Sequence, residues 1–316
     1  MPNVTHFLIP FAAPGSEAGR AALKGLTLPK LEALLARLTV THTDIGNAQA
    51  LTPSHERELA RQWGLPLQDG LLPWAALQAR EEGRPLLDQA WARVTPCHWQ
   101  IGREHIEMLH PQALDLSAEE SHGLLHAMAP YFAQDGITLI YNAPTLWLAH
   151  GSLFDDLPTA SLDCVVGREV GPWLPQGSHG QTLKRLQSEM QMLLYTHPIN
   201  EAREAAGALT VNSFWLSSTG RLPEGALERP TGLTVMHYLR DAAMLGDWAG
   251  WVDAWKQFDD QVCPRLLTQL DKGHRVVLTL CGEVACKTWD TRPESLLRQW
   301  TRRWRRQALY PLVESI

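Results

Sequence analysis

Several things this chain lacks narrow the field before anything present is considered. Its five cysteines, at 97, 164, 263, 281 and 286, are odd in number and mostly isolated. That usage excludes a disulfide framework and predicts reduced thiols in a cytoplasmic setting. Cys281 and Cys286, in CGEVAC, have a spacing no standard zinc knuckle uses, and they are expected as a buried or half-buried thiol pair. No apolar run approaches the roughly 18 residues needed to span a bilayer. The opening MPNVTHFLIPFAAPG has neither the basic region nor the long apolar stretch of a secretory signal. A net charge of −6 leaves no general attraction to nucleic acid or anionic membrane. There is no phosphate-binding P-loop, no G-x-G-x-x-G, no H-E-x-x-H and no G-x-S-x-G elbow, so no cofactor, metal or activated serine is signalled. No repeat of about 20–50 residues recurs.

What is present is an alternation of helix and strand patterns. HFLIPFA reads as a buried strand ending in a turn. LPKLEALLARL follows as a helix with Leu31, Leu34, Leu35 and Leu38 on one stripe. TPSHERELARQWG is a helix with Thr52 as cap, Pro53 in its first turn and Gly64 closing it. A further helix begins at Pro73. CHWQI and HIEML alternate as strands, as do GITLIYN and TLWLAH, and a helix with the capping box Ser117-x-x-Glu120 lies between the two pairs. QTLKRLQSEMQMLLYTH is a helix with Leu183, Leu186, Met190, Leu193 and Leu194 on one face. VNSFWLSSTG is a strand running into a turn, and HRVVLTLC is apolar enough to be central in a sheet. The expectation is an α/β fold, a mixed sheet flanked by helices with a hairpin-containing middle. It is taken as one domain over 1–316, with a subdivision available into a mainly helical 1–93 and a sheet-containing 94–316.

The chain has thirteen tryptophans against six phenylalanines and five tyrosines. Trp248, Trp251 and Trp255 recur at helical spacing with Phe258 and Val262, which predicts core packing. A second reading makes the helix 247–262 a homodimer surface. The basic cluster RRWRR, 302–306, reads as a solvated helix end, with nucleic-acid or phospholipid contact as the alternative.

The stretch PCHWQIGREHIEM holds the main candidate site. With Gly102 and Arg103 as the centre of a type II′ turn, the pairs are Ile101–Glu104, Gln100–His105, Trp99–Ile106, His98–Glu107 and Cys97–Met108. Cys97, Trp99, Ile101, Ile106 and Met108 then share a core face. His98, Gln100, His105 and Glu107 share the other. A carboxylate beside His98 would favour imidazolium and suit acid–base or ligand-anchoring work. The bland reading is a satisfied polar face on a half-exposed hairpin. Two histidines and a glutamate would also need a third ligand to hold a metal, and the sequence names none. Ser217, Ser218 and Thr219 could form an anion-receiving nest with Asn212 nearby, or an ordinary hydroxyl turn.

LTPSHERELARQWGLPLQDGLLPWAALQA, CHWQIGREHIEM, LQSEMQMLLYTHPINEAREAAG and VNSFWLSSTG together resemble a proteobacterial family described as RpfE-type regulatory proteins, whose members are often labelled cofactor-independent phosphoglycerate mutases. The resemblance implies a cytoplasmic regulatory or ligand-binding protein for a small anionic or phosphorylated molecule. Its enzymatic alternative acts on a phosphorylated three-carbon acid, with His98 or His105 as acid–base group and Arg168 or Arg203 clamping phosphate. The metal-dependent mutase pattern requires carboxylates after the first strand. Here that strand ends LIPFAAPG, and no Arg-His-Gly of the other mutase class lies near the start.

Overall fold

The computed structural model describes residues 4–102, 105–225, 227–291 and 316. In chain order its strands are β1 (Val4–Ile9), β2 (Thr39–Ile45), β3 (Trp91–Cys97), β4 (Trp99–Ile101), β5 (Ile106–Met108), β6 (Thr138–Ala143), β7 (Leu146–His150), β8 (Ser213–Gly220), β9 (Leu233–Val235), β10 (Arg275–Cys281) and β11 (Ala285–Asp290). The helices are α1 (Glu17–Lys24), α2 (Pro29–Leu35), α3 (Ser54–Gln62), α4 (Trp74–Glu81), α5 (Ala118–Gln134), α6 (Leu162–Val165), α7 (Gly177–Tyr195), α8 (Pro198–Ala205), α9 (Tyr238–Met244), α10 (Trp248–Gln257) and α11 (Cys263–Asp271). This is the α/β class the alternating patterns imply. The chain groups into two compact units, residues 1–49, 53–64 and 227–316 in one, and 50–52 with 65–226 in the other. The basic cluster at 302–306 lies outside the described residues.

In the first unit a five-stranded sheet runs β2-β11-β10-β1-β9. β1 is parallel to β10 and to β9, whereas β10–β11 and β11–β2 are antiparallel. The apolar run HRVVLTLC becomes β10, at the middle of this sheet, as its unbroken hydrophobicity requires. Leu31, Leu34 and Leu35 of α2 are buried with Leu38 against it. α2 starts on an apolar Leu28 with no side-chain cap, and its Leu31 N–H is instead taken by the buried carboxylate of Asp259 at 2.7 Å. That partner is remote in sequence, so local capping rules do not reveal it. Thr52 likewise does not cap α3: the N-cap is Pro53. Thr52 belongs to the second unit, where its hydroxyl accepts the Gly70 N–H at 2.8 Å. Cys281 and Cys286 are buried register partners on β10 and β11, their expected pairing as thiols.

The tryptophan stripe is interior. Trp251 and Trp255 are fully buried, and the rings from Trp248 through Trp251, Trp255 and Phe258 to Phe7 meet edge-to-face at 5.9–6.2 Å. The dimer-surface reading of 247–262 therefore fails for its two central tryptophans, because the apolar stripe is spent inside its own unit. The helical spacing continues past α10 into a π-helical turn, Phe258–Val262, before α11.

One polar thread crosses this sheet. His6 Nε2 bonds Thr279 Oγ1 at 2.9 Å, and Thr279 Oγ1 bonds Thr288 Oγ1 at 2.9 Å. Burial lowers the His6 pKa to about 4, with Asp290 opposing and Arg275 adding to the effect. The unfolded chain binds this proton near pH 6.5 and the folded one only near 4, so stability present above 6.5 is lost as pH falls through that window. The expected loss is about 3 kcal/mol. Urea unfolding at stepped pH should show this slope in the wild type and a shallower one in His6→Gln. Equal slopes would refute it.

The second unit holds an antiparallel sheet, β6-β7-β3-β8, and the separate ribbon β4-β5. Its core is built from α5, α7 and the inner sheet face, with Leu183, Leu186, Met190 and Leu194 buried as their spacing predicts. The capping box forms: Ser117 N–H donates to Glu120 Oε2 at 2.8 Å, and Glu120 N–H to Ser117 Oγ at 3.2 Å.

Candidate functional site

The ribbon forms, with a register two residues from the expected one. The pairs are Trp99↔Met108, Gln100↔Glu107 and Ile101↔Ile106, and Gly102 N–H donates to the His105 carbonyl at 2.9 Å. Gly102 is thus the last paired residue of its strand and does not occupy the left-handed region. Arg103, the second expected turn residue, and Glu104 lie outside the described residues. A shift of two keeps each side chain on its expected face and changes its neighbours.

The cause lies elsewhere in the chain. Backbone groups of β5 that point away from β4 are taken by the segment 166–170. Val170 N–H donates to Ile106 carbonyl, Gly167 N–H to Met108 carbonyl, and Met108 N–H to Arg168 carbonyl, at 2.9, 2.9 and 3.3 Å.

His98 and Glu107 are therefore not cross-strand partners. His98 lies opposite Leu109, which donates to its carbonyl, and its ring Nδ1 donates to the Thr210 carbonyl at 2.8 Å. His105 is exposed beside the turn and Glu107 half-buried. Arg168 is exposed, on the segment flanking β5.

Arg203 is only 5% exposed, and each of its three nitrogens is engaged. It donates to Glu120 Oε1 at 2.7 Å, to the Leu209 carbonyl at 2.7 Å and to the Leu114 carbonyl. A guanidinium so committed has no fork left for a phosphate. The expected clamp is corrected to a structural tie.

Ser217, Ser218 and Thr219 lie within β8, not in a turn beyond it. Thr219 Oγ1 bonds the Leu157 and Gly70 carbonyls at 2.6 and 3.1 Å, deep in the unit. Between the pairs Arg93↔Ser217 and Trp91↔Gly220, β8 has one residue more than β3, which is a bulge. Ser218 absorbs it with φ 60°. The nest reading is thereby replaced by a sheet irregularity. Ser218→Val should cost about 1–3 kcal/mol, because a β-branched residue resists positive φ, while Ser218→Gly should be nearly neutral. Thermal unfolding of both variants is the check, and equal losses would contradict the bulge account.

The opposite face of the ribbon opens on a cavity of about 420 Å³. Trp99, Ile101, Ile106, Leu194 and Tyr195 form its apolar walls. Two amides shape its floor. Asn212 Oδ1 accepts the Trp99 N–H at 2.7 Å and its Nδ2 donates to the Trp99 carbonyl at 2.9 Å, so the side chain imitates a neighbouring strand. Asn200 does the same for Val211, at 3.0 and 2.7 Å. Glu204 is the one charged residue among the described lining. A partly apolar cleft of this size with a few convergent polar groups has the makings of a ligand site. Of the expected residues it includes Asn212 alone. Leu194 was readable only as core, and nothing in the local sequence pairs Tyr195 or Glu204 with the ribbon.

A second polar cluster went unread because it lies on the inner face of a helix. In α3, Glu58 is buried, with Oε1 accepting from Gln62 Nε2 at 2.8 Å and Oε2 3.5 Å from Arg61 and 3.9 Å from His42. Arg57 joins Asp44 Oδ2, 2.6 Å from its Nη2, to the Val284 carbonyl at 2.8 Å. These pairs fasten α3 to β2 and the β10–β11 turn. Among the described residues no three His, Cys, Asp or Glu side chains gather as a metal-ligand set. The Cys97 thiol, pushed well up by burial, is not poised as a nucleophile either.

No helix among the described residues is long and apolar enough to cross a membrane. No protein-family model matches the sequence, and no curated protein matches it. Among solved structures, the chain is similar to a cofactor-independent phosphoglycerate mutase from Thermoplasma acidophilum DSM 1728. That match has 13% identity over 92% of this chain and 89% of that one, with a TM-score of 0.38. It is also similar to the PH0037 protein from Pyrococcus horikoshii, at 11% identity over 92% and 87%, with a TM-score of 0.43. At such identities and scores no residue role passes to this chain.

Proposed function

We propose that this protein is a ligand-binding regulatory protein of the RpfE type, which binds its ligand in the cavity between the β4–β5 ribbon and helices α7 and α8. The observation that carries this reading is the cavity itself, apolar-walled and floored by two amides already locked in place. Preformed polar groups cost little to organise on binding. The reading revises the ligand class expected from the sequence. The cavity wall carries a carboxylate at Glu204, and Arg203 is committed elsewhere. A neutral or cationic apolar molecule suits it better than a phosphorylated acid.

The test has two arms. A coupled assay converting 3-phosphoglycerate to 2-phosphoglycerate, with and without divalent metal, should give no turnover above a protein-free control. Turnover lost in His98→Ala would overturn the reading in favour of the mutase-like enzyme. In the second arm, thermal shift against neutral and cationic apolar compounds should raise the melting temperature of the wild type. Ile101→Asp should abolish that shift. A shift that persists in Ile101→Asp would place the ligand elsewhere.

A further inference from the structure

Three features of the cavity describe its occupant more closely than "a ligand", and the step rests on the proposed cavity being the binding site. The first is the rim. Ile101 and Tyr195, both lining the cavity, are 82% and 85% exposed, and Met192, outside the lining, is 78% exposed. Met192 and Tyr195 are three apart on α7 and so neighbours on its surface. A small molecule inside 420 Å³ would leave these side chains wet. A polypeptide lying over the opening would cover them, a common reason for large apolar side chains to stand exposed beside a cleft.

The second feature is the ribbon edge. In the observed register Ile101↔Ile106 is a non-hydrogen-bonded pair, because the bonded ones, Gly102↔His105 and His98↔Leu109, lie an odd number of residues away, one and three along β4. The N–H and C=O of Ile101 therefore point outward from β4, on the side where those of Trp99 meet the Asn212 amide. On the opposite edge the 166–170 segment already shows how backbone adds to this ribbon. An added residue at Ile101 would continue the line that Asn212 begins.

The third is charge. Glu204 lines the cavity, and Glu201, three residues earlier on α8, is also exposed on that side of the helix. We propose that the cavity is a docking site for an extended, unstructured segment of a partner protein. Its backbone bonds Ile101, an apolar side chain enters between Trp99, Leu194 and Tyr195, and a Lys or Arg meets Glu204. This is recognition by strand addition with a side-chain pocket.

The experiment selects random linear peptides displayed on phage against the wild-type protein, with subtraction against Ile101→Asp/Tyr195→Ala. Both substituted side chains are exposed, and an unchanged melting temperature certifies the variant as folded. The expected result is enrichment of peptides with an apolar residue beside Lys or Arg. Synthetic copies should bind about tenfold more weakly to Glu204→Lys, a loss of about 1.4 kcal/mol. One position in an N-methyl scan of the peptide backbone should abolish binding. Absence of enrichment over the variant, enrichment of acidic peptides, or an indifferent N-methyl scan would each overturn the proposal. If a small compound shifts the wild type and not Ile101→Asp while no peptide is enriched, the cavity remains a ligand site and the peptide inference alone falls.

Discussion

Trp251→Ala should lower the unfolding free energy by about 3–5 kcal/mol, the range for removing a buried aromatic of this size. The loss has three parts. The indole is wholly buried, so its apolar surface is returned to water on unfolding and a cavity replaces it. It lies between two rings of the edge-to-face series, 6.2 Å from both Trp248 and Trp255. Its Nε1 also donates to the Phe11 carbonyl at 2.9 Å, holding a residue whose φ of 54° is costly for a side chain of that bulk. Trp251→Phe should lose less, about 1–3 kcal/mol, since the ring volume is mostly kept and the carbonyl loses its donor. Urea unfolding of both variants separates packing from hydrogen bonding. A Trp251→Ala protein as stable as wild type would mean that the indole is not core.

Arg203→Ala is the second large effect, about 2–4 kcal/mol, chiefly the cost of leaving two carbonyls without their donor, since Glu120, its ionic partner, is itself partly exposed. The substitution strands the Leu114 and Leu209 carbonyls and strips Glu120 of its cation. Desolvation pushes the Glu120 pKa up, but hydrogen bonds from the Ser117 backbone and side chain and from Arg203 outweigh it, and the net direction is down. A carboxylate held down in this way contributes stability above its unfolded pKa and loses it as pH falls through the folded value. The Arg203→Ala protein should therefore be less stable at neutral pH and lose less on acidification than the wild type. A phosphate clamp would behave oppositely: its removal would spare the melting temperature and alter only ligand affinity. Differential scanning calorimetry at neutral and acid pH distinguishes the two.

Much of the architecture was legible from pattern alone. The leucine stripe of α2, the amphipathic face of α7, the capping box of α5, the β6–β7 hairpin and the central place of β10 each follow from a periodicity or cap within one short segment. So does the interior role of Trp251 and Trp255. The site was less legible. The ribbon at 99–108 was recognised, yet its partners were displaced by two. The bonds that favour the observed register come from residues 166–170, some sixty positions downstream. Arg203 looked like a free cation because Glu120 and the Leu114 carbonyl it serves are 83 and 89 residues away in sequence. The hydroxyls at 217–219 looked like a turn because nothing local announces a bulge against β3.

The sequence by itself determined the periods: which residues are apolar every second or every third-to-fourth position, where helices begin and stop, and therefore the α/β class and most of the core. Those properties depend on backbone geometry within a few residues, so the local order of side chains suffices. Tertiary structure alone decided which polar groups are already spent, which strand edge stays open, and which face of the ribbon borders a cavity. Each of these depends on a hydrogen bond or a void between segments far apart in the chain, and a buried donor takes whichever acceptor the fold brings to it.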